Sequence, residues 1–191
     1  MNLADLDINK TYTYADYLKW DFKERVELIM GKLFKMSPPP GSRHQKISMS
    51  FSRQLANFLD EKPCDVYAAP FDVRIPRKSK DDKDIISVVQ PDLCVICDSN
   101  KVDERGCLGA PDIVIEILSP SNNKVELNNK FDLYEEAGVK EYWVVSPQDN
   151  TFVVNLLTNG KFVPSRLMAT GVYESSVLVG FSLNLDKLFA V

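Results

Sequence analysis

Two short apolar runs constrain this chain more than any other feature, because each carries one carboxylate where a buried strand has little use for a charge. The first is Gln90-Pro91-Asp92-Leu93, which opens a run ending near Cys97. The second is Ile113-Val114-Ile115-Glu116-Ile117-Leu118. If the two pair as an antiparallel hairpin with Cys97 opposite Pro111, Asp92 falls opposite Glu116. Two carboxylates close together on one face repel and are costly to desolvate unless a cation sits between them. The pattern points to a hard-metal site.

The rest of the composition sets bounds on that reading. With 191 residues and 45% apolar content, one domain over 1–191 is the expectation, burying on the order of 70% of its unfolded surface. No apolar run approaches the roughly 18 residues of a membrane span, and the start, Met1-Asn2-Leu3-Ala4-Asp5, lacks the basic and apolar regions of a secretory signal. Cys64, Cys94, Cys97 and Cys107 therefore read as reduced thiols of a cytoplasmic protein. A net charge of −4 and a pI near 5.1 argue against coating long nucleic acid by charge alone. Any nucleic-acid contact is expected to be local and of modest affinity.

Taken in order, Thr13 to Trp20 reads as a short amphipathic helix with Thr13 as its N-cap. Arg25 to Met36 reads as two strands around Met30-Gly31. Pro38, Pro39 and Pro40 break the chain, and Ser42 is the candidate N-cap of a helix over about 43–60. The apolar stripe of that helix is Ile47, Phe51, Leu55 and Phe58. Asp65 to Ile75 is a strand interrupted or bulged at its prolines, Arg77 to Asp84 a solvated charged loop, and Val88 to Cys97 one strand. Asp98 to Ala110 is long enough to hold local structure. After the strand 112–118, Asn123 and Glu126 have capping-box spacing, and the helix runs to about Ala137 with Gly138 as its stop. Glu141 to Ser146 then completes a strand–helix–strand unit with a parallel pair. Asn159-Gly160 marks a type I′ hairpin within 151–163, and 178–189 supplies a last strand and a helical turn.

Period-2 alternation puts Val114, Glu116 and Leu118 on one face of their strand and Ile113, Ile115 and Ile117 on the other. In the next helix Leu127, Phe131 and Tyr134 mark the inward stripe, and Lys130 shares it. A lysine on a buried helix face beside a buried glutamate needs a partner. A structural Lys130–Glu116 ion pair and a catalytic lysine are equally good readings. Glu27, inside a strand, is an exposed carboxylate on pattern alone. His44, the one histidine, heads the stripe of its helix, where a satisfied core residue is the more common outcome.

Pro91-Asp92, twenty-three residues, then Glu116-Ile117-Leu118 resembles the PD-(D/E)XK motif of restriction-endonuclease-like nucleases. More narrowly, the chain is similar to the family described as putative restriction endonucleases. The matching stretches are Glu27 to Leu33, Met36-Ser37-Pro38, Arg43-His44, Ala69-Pro70-Phe71-Asp72-Val73-Arg74, Val89-Gln90-Pro91-Asp92, Ala110 to Ser121, Lys130 to Tyr134, Ala137 to Trp143 and Leu178-Val179-Gly180-Phe181. The resemblance spans about residues 14–189. It implies an α/β (α+β) fold with a restriction-endonuclease-like core over about 43–146: a mixed central sheet flanked by helices, with extra N- and C-terminal β-hairpins. The superfamily lysine two positions after the glutamate is here Leu118. Some members carry that lysine on the following helix, and Lys130 matches that place. Pro111-Asp112 is a decoy, because it shares a strand with Glu116.

The resemblance implies a metal-dependent nuclease cutting phosphodiester bonds of DNA, with Asp92, Glu116 and the Ile117 carbonyl holding Mg²⁺ (Mn²⁺ as substitute). It gives Lys130 the attacking water, Glu27 the place of an outer acid, and His44 that of a phosphate contact or proton donor. A homodimer would suit the cutting of two strands. One alternative is a catalytically silent module on a nuclease-like fold, binding nucleic acid or protein, since fold alone does not settle activity. Another is a thiol or zinc site at Cys94-Val95-Ile96-Cys97. An odd offset within a strand points its two sulfurs to opposite faces, and no second pair exists.

Overall fold

Pro70 and Pro91 lack the N–H that a ladder needs, and at both places the chain leaves one sheet for another. The computed structural model describes residues 3, 6–7, 9–36, 41–120 and 124–190. Its elements run α1 (Tyr14–Tyr17), β1 (Val26–Ile29), β2 (Lys32–Lys35), α2 (Ser42–Leu59), β3 (Asp65–Ala68), β4 (Val73–Arg74), β5 (Val88–Val89), β6 (Leu93–Ile96), β7 (Val102–Asp103) and β8 (Gly106–Leu108). Then come β9 (Ile113–Ile117), α3 (Lys124–Ala137), β10 (Glu141–Ser146), β11 (Thr151–Thr158), β12 (Lys161–Pro164), β13 (Val172–Glu174), β14 (Ser182–Asn184) and α4 (Leu185–Phe189).

The central sheet has the order β12-β11-β10-β9-β6-β3, and a second sheet the order β2-β1-β5-β4-β8-β7. Both are mixed: β9 and β10 are parallel in the first, β4 and β8 in the second. This is the mixed, helix-flanked architecture expected from the sequence, with two corrections. The run 88–97 is two strands, β5 in the second sheet and β6 in the central one, with Gln90-Pro91-Asp92 crossing between them. The N-terminal hairpin β1–β2 is not an appendage but the edge of that second sheet.

The register of the opening pair is the expected one. Leu93 faces Ile115, Cys94 faces Val114 and Val95 faces Ile113, so one step further brings Asp92 level with Glu116. Alternation then divides two cores. Leu93, Val95, Ile113, Ile115 and Ile117 pack under the α2 stripe of Ile47, Phe51, Leu55 and Leu59, together with Trp143 and the α4 leucines. Leu59 rather than Phe58 completes that stripe. Cys94, Ile96 and Val114 face the second sheet and α3, meeting Val73, Val89, Leu133 and Tyr134. Each such aliphatic side chain, fully buried, contributes about 2 kcal/mol.

The caps follow the sequence in part. Thr13 and Asp16 form a capping box on α1. The N-cap of α2 is Gly41, without a side-chain bond, and Ser42 is already helical. Gly138, at φ 85°, ends α3, while the proposed cap at Asn123 lies outside the described residues. Asn159 and Gly160 both have positive φ, as a type I′ turn demands.

The cysteines depart from expectation. Asp65 pairs with Ile96, which brings Cys64 level with Cys97, and the two form a disulfide. Only Cys94 and Cys107 are free, both buried. Cys94 belongs to one core and Cys97 packs against the other, so the opposed faces expected of this pair are present. With Cys97 joined to Cys64, the zinc reading loses one of its two ligands. Among the described residues no helix is long and apolar enough to cross a membrane.

Two carboxylates close the ends of the strands. Glu141, fully buried, accepts from Trp143 Nε1 at 2.8 Å and from Ser175 Oγ, Ser176 N and Oγ and Val177 N, pinning the C-terminal segment to β10. Asp112 accepts the Cys97 N–H at 2.8 Å and Lys140 Nζ at 2.7 Å. Burial alone would raise the Asp112 carboxyl, but these two bonds outweigh it and hold it below the usual carboxylate range. A depressed folded-state pKa gives stability that is full above the unfolded value near 4 and lost as pH falls through the folded one. Asp112→Ala is therefore expected to cost about 2 kcal/mol at neutral pH and less in acid, measured by urea unfolding at pH 7 and pH 3.

Candidate functional site

The site forms where the chain crosses between sheets. Ladder pairing of β6 with β9 stops at Leu93–Ile115, so the next amide of β9 on that side needs another acceptor. Asp92 supplies it: its Oδ2 takes the Ile117 N–H at 2.7 Å. The same oxygen lies 3.3 Å from His44 Nε2 at the first turn of α2. Burial would lower the His44 pKa, but Asp92 opposes it and the net shift is upward, so the imidazolium persists to higher pH than usual. The ring also lies against the Ile117 carbonyl.

Glu116 points the other way across the same strand, toward α3. Its Oε1 accepts from Lys130 Nζ and from Tyr134 Oη, each at 3.0 Å. Lys130 also reaches Glu27 Oε2 on β1 at 2.9 Å, and Glu27 Oε1 accepts the Gln90 N–H at 2.6 Å. The lysine is 4% exposed and Glu27 1%, so the lysine head turns inward and the exposed-strand reading of Glu27 is wrong. Its position in the second sheet, packed over the central one, buries it. Burial raises Glu116, the Lys130 ammonium pulls it back, and Asp92 and Glu27 push it up again, to about 7. Burial disfavours the charged lysine, yet the two glutamates outweigh it and hold Lys130 protonated.

His44, Asp92, Glu116, Ile117 and Lys130 thus line one open cleft of about 170 Å³, far above the ~10–15 Å³ that one water needs. Glu27 stands behind Lys130, outside the lining. Asp112 lies at the far end of β9, bonded to Cys97 and Lys140. The sequence reading missed Glu126, Arg25 and Gln90 as lining residues. Glu126 was findable, since it precedes Lys130 by four and so shares its helix face. The buried stripe of α3 is Glu126, Lys130, Leu133 and Tyr134, one position off from the one drawn through Leu127 and Phe131. Arg25 and Gln90 gave no periodic signal, because their roles arise at a sheet crossover.

A family model described as putative restriction endonuclease (Uma2) matches residues 14–186. The chain belongs to this family. An uncharacterised protein of Synechocystis sp. strain PCC 6803 is 27% identical over 135 residues, 69% of this chain. The aligned part spans 66% of that relative's own length. The crystal structure of a putative nuclease belonging to DUF820 from Anabaena variabilis ATCC 29413 has the same fold. It superposes with a TM-score of 0.73 at 18% identity, over 94% of this chain and 98% of the other. The fold of this Uma2 family member is thus restriction-endonuclease-like.

Removing one partner from a buried ion network leaves the others uncompensated. Lys130→Met is expected to lower stability by roughly 3–5 kcal/mol, and the double variant Glu27→Gln/Lys130→Met to recover part of that loss. Chemical denaturation of both variants checks this; equal stability of the single variant and wild type would show the network to be idle.

Proposed function

We propose that the cleft hydrolyses phosphodiester bonds of DNA with a divalent cation, Mg²⁺ or Mn²⁺, held by Asp92, Glu116 and the Ile117 carbonyl. The observation that carries this reading is the meeting of Asp92, Glu116 and Lys130, three side chains from β6's approach, β9 and α3, at one solvent-open cleft. The donor set is suited to such a cation. The internal bonds use Asp92 Oδ2 and Glu116 Oε1, leaving Asp92 Oδ1 and Glu116 Oε2 without a protein partner among the described residues. These oxygens and a carbonyl are hard ligands of the kind Mg²⁺ prefers. Among the described residues no group of three or more His, Cys, Asp or Glu is arranged to hold a metal, so the protein would offer two carboxylates and one backbone carbonyl, with waters completing the shell.

Bound there, the cation would acidify a water and polarise the phosphate. Lys130, held protonated, donates hydrogen bonds to the attacking oxygen and offsets charge building on phosphorus. Glu27 aims Lys130, and its grip on the Gln90 N–H keeps the Asp92 approach in place. His44 orients Asp92 by holding its Oδ2 at 3.3 Å. Arg25 at the rim provides a phosphate contact.

The second reading, a silent binding module, draws on Lys130 itself: its ammonium already stands between Glu27 and Glu116 and partly neutralises the cluster. The two readings separate in a cleavage assay with single-stranded, duplex and supercoiled DNA in Mg²⁺ or Mn²⁺. The nuclease reading expects cutting by wild type and a drop of about 10²-fold, roughly 3 kcal/mol of transition-state stabilisation, in Asp92→Asn and Lys130→Gln. Equal rates in all three proteins would overturn the site; no cutting with unchanged DNA binding would favour the module.

A further inference from the structure

Next to the catalytic cleft lies a second recess, lined by Tyr17, Trp20, Phe22, Glu24, Arg25 and Gln90 among others. Arg25 and Gln90 line both cavities, so the two share a wall. Gln90 is that wall's fixed point. Its N–H is held by Glu27, its Nε2 donates to Asp72 Oδ1 at 2.7 Å and reaches Tyr17 Oη at 3.4 Å, and its Oε1 accepts from Arg25. A continuous path of contacts therefore runs from Tyr17 through Gln90 and Glu27 to Lys130.

The three rings come from the end of α1 and the turn after it. Tyr17 and Trp20 are 5.8 Å apart between centroids, and Trp20 and Phe22 are 5.4 Å apart with 33° between their planes. Packing explains only part of this. Tyr17 and Trp20 rest on the small core of Tyr12, Tyr14, Leu28, Ile85 and Val88, but Phe22 is not part of that cluster. Tyr12 meets Trp20 edge-on at 5.2 Å and Tyr14 stacks on Tyr17 at 5.8 Å, yet all three rings stay half-buried and line a recess rimmed by Arg25, Gln90 and Glu24. Flat apolar faces with donors and acceptors at the edge are what a nucleobase requires.

We propose that this recess takes one unpaired nucleobase of the DNA strand, next to the phosphate that enters the catalytic cleft. Resting on the nuclease reading above, it names the substrate class: single-stranded or locally melted DNA, since a base inside a duplex is stacked and paired and does not reach a pocket without being unstacked. The net charge of −4 fits this mode of recognition. An acidic protein cannot track many phosphates by charge, whereas stacking on aromatic rings draws on no net charge and tolerates any base.

The test is binding in chelator, where cleavage is silent, with oligothymidylate, the same strand carrying one abasic sugar at successive positions, and a duplex. Trp20 and Trp143 are the two tryptophans, and Trp143 is fully buried, so emission quenched on binding reports Trp20. The expected result is quenching by the single strand, about tenfold weaker binding when one particular position is abasic, and weaker binding of the duplex. Trp20→Ala is expected to lose about tenfold in affinity and Trp20→Phe to keep most of it. Wild-type binding indifferent to the abasic position, or equal quenching by duplex and single strand, would overturn the proposal without using any variant. Stacking as expected but no cutting in Mg²⁺ would remove the nuclease reading and leave the base site. Equal cutting of single-stranded and duplex DNA, unchanged in Trp20→Ala, would remove the base site and leave the nuclease reading.

Discussion

One ammonium group, Lys130 Nζ, ties together the three parts of this fold. It extends from α3, pairs with Glu116 on the central sheet at 3.0 Å, and pairs with Glu27 on the second sheet at 2.9 Å. Taking any of these charges out of water alone would be costly. Buried together and hydrogen-bonded, they require α3 and both sheets to be in place at once. The geometry of the cleft is thus inseparable from the stacking of the two sheets, and the β1–β2 hairpin is part of the site's support.

The crossover at Gln90-Pro91-Asp92 gives that support its second half. Pro91 cannot continue the ladder, so the strand ends and the backbone turns toward the other sheet. The amide of Ile117 is then satisfied by the Asp92 side chain, and the amide of Gln90 by Glu27. Both are charge-assisted bonds, roughly twice as strong as neutral ones. Each also fixes the direction of a carboxylate that is itself a candidate functional group. Local breakage of secondary structure and the placing of functional side chains are here the same event.

This explains what could be read in advance and what could not. The pairing of Asp92 with Glu116 was legible because each of the two apolar strands carries one carboxylate, and a slip of one residue would exchange the side chains that the two cores receive. Lys130 was legible because helical spacing put it on the buried face. The α3 stripe was drawn one position off, since Leu127 and Phe131 look more apolar than Glu126, yet Glu126 is the inward residue, with Lys130 as the opposite charge near it. The run 88–97 looked like one strand, because apolar pattern says nothing about which sheet a strand joins. The Cys64–Cys97 bridge escaped notice for a related reason: it depends on the register of β3 against β6, two strands whose pairing no local signal announced.

By itself the sequence determined where α2, α3, β9 and β10 lie and that Glu116 and Lys130 sit on buried faces, for these depend on side-chain periodicity along a single element. Tertiary structure alone decided that Glu27 reaches Lys130, that Gln90 stands between two recesses, and that three half-buried rings lie beside the candidate cleft. Those are relations between elements distant in the chain. They are set by how two sheets stack and where the backbone passes from one to the other, and no spacing within a single strand or helix encodes that.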